Sequence, residues 1–157
     1  MGYHESMFQE QDVHLPLFNG LLKEQIDQIK TIFRTCKFPQ GQTIFEQGQN
    51  ANYFYILLAG QVEIRYKPYD VPSLMVTHIH SGDVFGWSSI LGHTKYTSSA
   101  VSLCECEVIY ISHDDMRCLI KSSPEMGDIL IDRMASGIAQ HLKSTHSKVL
   151  TLIKKGL

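Results

Sequence analysis

The spacing of hydrophobic positions changes twice along the chain. Leu15-Pro16-Leu17-Phe18 begins the fold, and Leu21, Leu22, Ile26, Ile29, Ile32 and Phe33 then recur every three or four residues, one face of a helix. From Pro39 the pattern becomes that of strands, punctuated by Gly41 and Gly48. Thr43-Ile44-Phe45 predicts a short strand. Tyr53 to Leu58 is a continuous apolar run of β-formers closed by Ala59-Gly60. Gln61 to Lys67 alternates, with Val62, Ile64 and Tyr66 on one face. The two segments predict a hairpin about Gly60. Leu74 to Ile79 and Glu107 to Ser112 predict further strands, the second turning Val108, Tyr110 and Ile111 toward the core.

After Ser112 the helical period returns. His113-Asp114-Asp115 suits a cap and acidic first turn for Met116, Leu119 and Ile120. Ser123-Pro124 opens a last helix running to about Ile153. Within it Ile131, Ile138, Thr145 and Leu152 are seven apart, and Ala135, Leu142 and Val149 fill the positions four further on. This is an a/d seam, and it predicts a parallel homodimer. A helix ~45 Å long outreaches a small β-roll, so its far half needs a partner. Residues 1–13 are polar and expected to be loose; 14–123 are expected to form the β-roll with its N-terminal helix, and 124–157 the dimer helix.

Between strands, Gly82 to Val101 predicts a distinct cassette: a strand end at Val84-Phe85, a glycine turn at Gly86, a short helix and a polar loop. Ser88 and Ser89 suit its cap, Ile90 and Leu91 its apolar face, and Ser98 and Ser99 open the next strand. Free N–H groups at such a helix start attract anions. A pocket for a phosphate-bearing ligand and an ordinary hydroxyl-rich loop both fit this stretch.

Composition narrows the function. A chain of 157 residues suits one domain with a real core. Its formal net charge of −2 leaves no electrostatic footprint for nucleic acid. Cys36, Cys104, Cys106 and Cys118 follow neither a zinc nor a redox spacing and are expected to be free thiols in a reducing cytoplasm. No signal peptide or membrane-spanning stretch is expected, and the short myristoylation pattern at Gly2 and Ser6 is of a kind that recurs by chance.

In combination, several segments resemble the cyclic-nucleotide-binding domain of the catabolite-activator and fumarate-nitrate-regulator superfamily. Leu15-Pro16-Leu17-Phe18 with Leu21 is similar to its leading helix. Phe38-Pro39-Gln40-Gly41 through Glu46-Gln47-Gly48 is similar to its first strand pair, and Tyr53 to Ile64 to its central hairpin. Gly82-Asp83-Val84-Phe85-Gly86 resembles the opening of its phosphate cassette, and Ile138-Ala139 with Leu142, Thr145, Lys148 and Val149 its dimer helix. The resemblance runs from about residue 15 to 153. It implies a mainly β fold: a double-stranded β-helix (jelly-roll) barrel with an N-terminal helix and a long C-terminal dimerisation helix.

It also implies a ligand-sensing regulatory protein rather than an enzyme, a cytoplasmic homodimer whose helix signals to a downstream protein partner. The implied ligand is cyclic AMP, cyclic GMP or another small anion, with no covalent cofactor, metal or membrane. Candidate ligand residues are Phe85, Gly86, Trp87, Ser88, Ser89, Lys95, Thr97, Ser98 and Ser99, with Thr145 matching the family's base-contacting threonine. The cassette departs from the family at two places. The family's Glu, which accepts from the ribose 2′-hydroxyl, is replaced by Trp87, which has no acceptor. The family's phosphate-gripping Arg falls near Thr97, with Lys95 the nearest cation, a point charge without the guanidinium fork. Weak or altered cyclic AMP binding is expected.

Trp87 also suits a plug filling the nucleotide's space, and Lys95 a solvated loop charge. The chain stops at Leu157 without room for a helix-turn-helix after the dimer helix, so sensing without DNA reading is expected, or else the sensor half of a truncated regulator. Two other classes remain. A cupin-type metalloenzyme would use His78 and His80, alternating on a strand, but wants a third ligand. A haem or iron–sulfur sensor would want clustered cysteines.

Overall fold

The structure, a computed structural model, describes residues 4–7, 15–66, 74–142 and 146–157. Among the described residues, nine strands and four α-helices follow in order: β1 His4–Met7, α1 Lys23–Lys30, β2 Arg34–Phe38, β3 Thr43–Phe45, β4 Tyr53–Ala59, β5 Val62–Tyr66, β6 Leu74–Ile79, β7 Val84–Phe85, β8 Ser99–Ser102, β9 Cys106–Ser112, α2 His113–Ser122, α3 Pro124–Leu142 and α4 His146–Gly156. The strands form two antiparallel sheets, β1-β2-β9-β4-β7 and β3-β8-β5-β6. The fold is mainly β with flanking helices, a two-sheet roll; the strand order does not close into one barrel.

The unbroken apolar run of β4 has a physical cause: both its faces are covered. Phe54 and Ile56 join Ile109 and Ile111 of β9 in a core shared with the helices. Tyr55 and Leu57 point the other way and join Val108 and Tyr110 in the core between the sheets. β5 is covered on one side only. Val62 and Ile64 are buried, while Glu63 and Arg65 face outward and pair at 2.7 Å. Bonding to Arg65 is the main cause that holds the Glu63 carboxyl below its usual range.

Several expectations change. The predicted hairpin about Gly60 does not form, because β4 pairs with β9 and β7 while β5 pairs with β8 and β6. Gly60 is instead the corner where the chain leaves one sheet for the other. Its φ is +102°, and a Cβ there would lie 2.7 Å from both Cys106 Sγ and Glu105 O. Part of the polar N-terminal segment is a strand: β1 pairs with β2 from His4↔Lys37 to Met7↔Arg34. The first helical segment divides into a 3-10 turn at Pro16–Phe18 and the short α1, leaving Leu22 exposed.

The N-cap of α2 is Ser112, one residue before the expected His113; its Oγ accepts from Asp115 N at 3.0 Å. Asp114 and Asp115 complement the dipole of the first turn. Ser112→Ala is expected to cost about 1 kcal/mol, read as a lower midpoint in thermal unfolding.

The largest change concerns the last helix. The continuous rod is replaced by α3 and α4, with α4 folded back. His146 Nε2 donates to Asp132 O at 3.0 Å and lies 3.1 Å from its Oδ1. Fourteen residues of unbroken helix would separate such groups by about 21 Å. The intended seam is used within the chain: Ile131, Ala135, Ile138 and Val149 are buried in the protomer's own core, and Leu152 is left exposed. Among the described residues the seam therefore does not form a continuous exposed stripe in this conformation. Thr145 lies outside the described residues, as does the Leu142 side chain. Because α3 and α4 share the core of Phe54, Ile56 and Ile109, the packing unit does not end at residue 123.

Candidate ligand-binding cassette

Between β7 and β8 the chain makes the predicted glycine turn. Gly86 has φ +72°, and a Cβ on it would lie 2.9 Å from the Tyr55 ring. The segment that follows is a single 3-10 turn, Trp87–Ser89, rather than a helix. Ser88 and Ser89 lie inside it and do not cap it; Ser89 Oγ donates to Gly86 O at 2.9 Å and is buried. A turn of three residues sums almost no dipole, so a helix dipole adds little to the attraction for an anion there.

Ser88 Oγ and Thr97 Oγ1 approach to 3.5 Å across the cassette, at a recess lined also by Phe45, Phe85, Gly86, Trp87, Tyr96 and Ser98. The recess holds only about 20 Å³. Aromatic rings fill the space beneath it. Phe45 stacks on Tyr96 at 3.8 Å between centroids, and Tyr55 on Phe85 at 4.9 Å. The Tyr96 hydroxyl donates to Tyr53 O at 2.7 Å and accepts from Tyr53 N at 3.1 Å, which locks the ring. Burial pushes the Tyr96 phenol up to about 12 and raises that of Tyr55 further, so both rings stay neutral.

Of the residues expected to hold a ligand, Phe85, Gly86, Trp87, Ser88, Thr97 and Ser98 meet at this recess. Ser99 is not part of the recess lining, and its Oγ accepts from Gln47 N at 2.9 Å. Lys95 lines a separate open depression of about 530 Å³ beside Gln49, Asn52 and Tyr53, and its Nζ donates to Asn50 Oδ1 at 2.8 Å. Trp87 is not the plug. It borders the recess and stacks on His141 of α3 at 5.6 Å, while Phe45 and Tyr96 do the filling. His141 in turn lies 3.8 Å from Asp83 Oδ1. In the sequence Phe45 reads as an ordinary strand residue, and neither Tyr96 nor His141 stands out. Only the bulk of a tyrosine inside the cassette hinted at the filling.

The strand histidines have local partners: His78 Nε2 lies 3.4 Å from Glu63 Oε2, and His80 Nδ1 lies 3.4 Å from Gln61 Nε2. Among the described residues no three His, Cys, Asp or Glu side chains converge on a common point, and no helix is long and apolar enough to cross a membrane. A second open cavity of about 590 Å³ is lined by Asn50–Tyr53, by Ser89 and Gly92–Thr94 of the cassette, by the start of α2 and by Gly156.

The sequence matches the cyclic nucleotide-binding domain family over residues 35–123, more than half of the chain. The chain belongs to this family. Among its relatives is a CRP-like cAMP-activated global transcriptional regulator of Mycobacterium tuberculosis, 27% identical over 87% of this chain and 59% of the relative. A cyclic AMP receptor protein of Thermus thermophilus is 27% identical over 82% of this chain and 57% of its own length. The chain thus spans somewhat over half the length of these relatives. Among solved structures, a putative cyclic nucleotide-binding protein of Geobacter metallireducens superposes with a TM-score of 0.72 at 28% identity, covering 85% of this chain and 96% of that one.

Proposed function

We propose that this family member is a ligand-sensing regulatory module in its closed state, taking a cyclic nucleotide or related small anion at residues 85–98. The observation that supports this is the recess at Ser88 and Thr97: its walls are those of the cassette, yet it holds about 20 Å³. Small-molecule sites commonly need about 300 Å³ or more. A nucleotide therefore enters only if Tyr96 and Phe45 move, which breaks the two hydrogen bonds between Tyr96 and Tyr53. With Trp87 and Thr97 in place of the family's Glu and Arg, little binding energy is left to drive that opening.

Output passes through α3, which meets the cassette at the Trp87–His141 stack. Pairing of two copies through the 131–152 seam requires α4 to leave its own core. The names of the relatives, cAMP-activated transcriptional regulator and cyclic AMP receptor protein, also suit a reading in which this is the sensor half of a longer regulator.

The test is a thermal-shift titration with cyclic AMP, cyclic GMP and inorganic phosphate, since a ligand of the folded state raises the midpoint by mass action. Native protein is expected to respond weakly or not at all to cyclic AMP. Tyr96→Ala is expected to lower the unliganded midpoint and to enlarge the nucleotide response, and adding Thr97→Val to shrink it again. A strong native response to cyclic AMP sinks the closed state. No response to any probe in either background sinks the sensing role.

A further inference from the structure

Outside the cassette, one pair of nucleophilic side chains is held in a geometry that the proposed sensing does not use. Cys104 and Cys106 flank Glu105 in the turn between β8 and β9. Two residues apart, their Cα atoms lie at most about 7 Å from each other, at the edge of the ~4.4–6.8 Å that a disulfide spans. The Cys106 side chain folds back over its neighbour, with Sγ 3.3 Å from Cys104 O, while donating to Gln61 O at 3.2 Å. Cys104 is exposed and Cys106 buried. Gly60, across the corner, leaves the room that Cys106 Sγ occupies.

We propose that Cys104 and Cys106 form a reversible dithiol–disulfide pair that reacts with low-molecular-weight disulfides. The exposed Cys104, as thiolate, attacks one sulfur of the small disulfide. That S–S bond breaks, a mixed disulfide forms on Cys104, and one small thiolate leaves. Cys106 then gives its proton to that thiolate and attacks Cys104 Sγ, expelling the second small thiolate, which takes up the proton that Cys104 released. The protein loses two protons and two electrons, and the small disulfide becomes two thiols.

Burial, ahead of the nearby Cys104, raises the Cys106 thiol above its ordinary range, against the lowering by its bond to Gln61. The division of roles follows: Cys104 meets the reagent and Cys106 resolves. A ring closed over one intervening residue is strained and so is readily reduced again. Closing it pulls Cys106 Sγ from Gln61 O and loosens the Gly60 corner between the sheets.

The experiment equilibrates the native chain with oxidised glutathione and maps the products by peptide mass. Cys118 is also exposed and lies alone on α2, so it serves as an internal reference. The expected result is an internal Cys104–Cys106 link, reversed by dithiothreitol, with Cys118 carrying only the glutathione adduct. Cys106→Ser is expected to trap the adduct on Cys104, in yield about tenfold above the native chain, where resolution removes it. A stable adduct on native Cys104 without the link overturns the proposal, as does modification of Cys118 with the pair untouched. If the serine variant does not fold, the native map alone decides.

Discussion

Replacing Ile153 with Ala is expected to cost about 2–5 kcal/mol, and replacing its neighbour Leu152 within about 0.5 kcal/mol. Ile153 is fully buried on α4 within the core shared with Ile90, Leu130 and Met134, while Leu152 is 45% exposed. A buried isoleucine cut to alanine loses its transfer energy and leaves a cavity that close packing does not heal. The long-zipper arrangement makes the opposite forecast, because Leu152 occupies the seam and Ile153 does not. The pair of variants therefore separates the two arrangements in one thermal melt.

The Ile153 cost is bounded by the free energy with which α4 docks, since a helix can detach before the roll unfolds. Two further contacts set that bound: His113 Nε2 donates to Gly156 O at 3.0 Å, and the Gly156 backbone packs on Ile90 and Gly92 so closely that a Cβ would overlap them. If the docking energy is the smaller quantity, the loss shows as faster amide exchange along α4 with a nearly unchanged melt. Unchanged exchange and melt for Ile153→Ala refute the folded-back α4.

Gly60→Ala is expected to destabilise the chain by about 2–5 kcal/mol, the sum of two penalties. The left-handed backbone at φ +102° disfavours any side chain. The added methyl also meets the Glu105 carbonyl oxygen and Cys106 Sγ at 2.7 Å. Neither neighbour is the free end of a flexible side chain: one is backbone and the other is bonded to Gln61 O. For a domain of this size the midpoint falls by roughly 5–15 °C. An open hairpin turn at this place would tolerate alanine better, because the start of β9, the strand paired with β4, would not press on it. A fall of under about 1 °C refutes the corner.

The sequence shows which segments are strands more clearly than it shows their partners. The run from Tyr53 to Leu58 and the alternation from Val62 to Ile64 mark β4 and β5 to within a residue or two. Their pairing is decided by β9 and β8, some fifty and forty residues away, and alternation carries no record of it. The last helices fail for a related reason. Ile131, Ala135, Ile138 and Val149 satisfy an apolar stripe whether the stripe meets a second copy or its own roll. The burial of Ile153, off that stripe, and the exposure of Leu152, on it, distinguish the two. At the cassette, residue types indicate the turn at Gly86 but not the approach of the Ser88 and Thr97 hydroxyls. The ring stack that fills the recess depends on side-chain rotamers packed from four separate segments, and no local pattern encodes it.

Trp87 is the chain's one tryptophan, and its ring lies against the His141 imidazole of α3. Indole emission from this protein therefore has a single origin, at the junction of cassette and longest helix. Lifting α3 would trade an aromatic neighbour for water and shift the colour of that emission. The molecule carries, without any dye, an optical gauge of whether those two parts are touching.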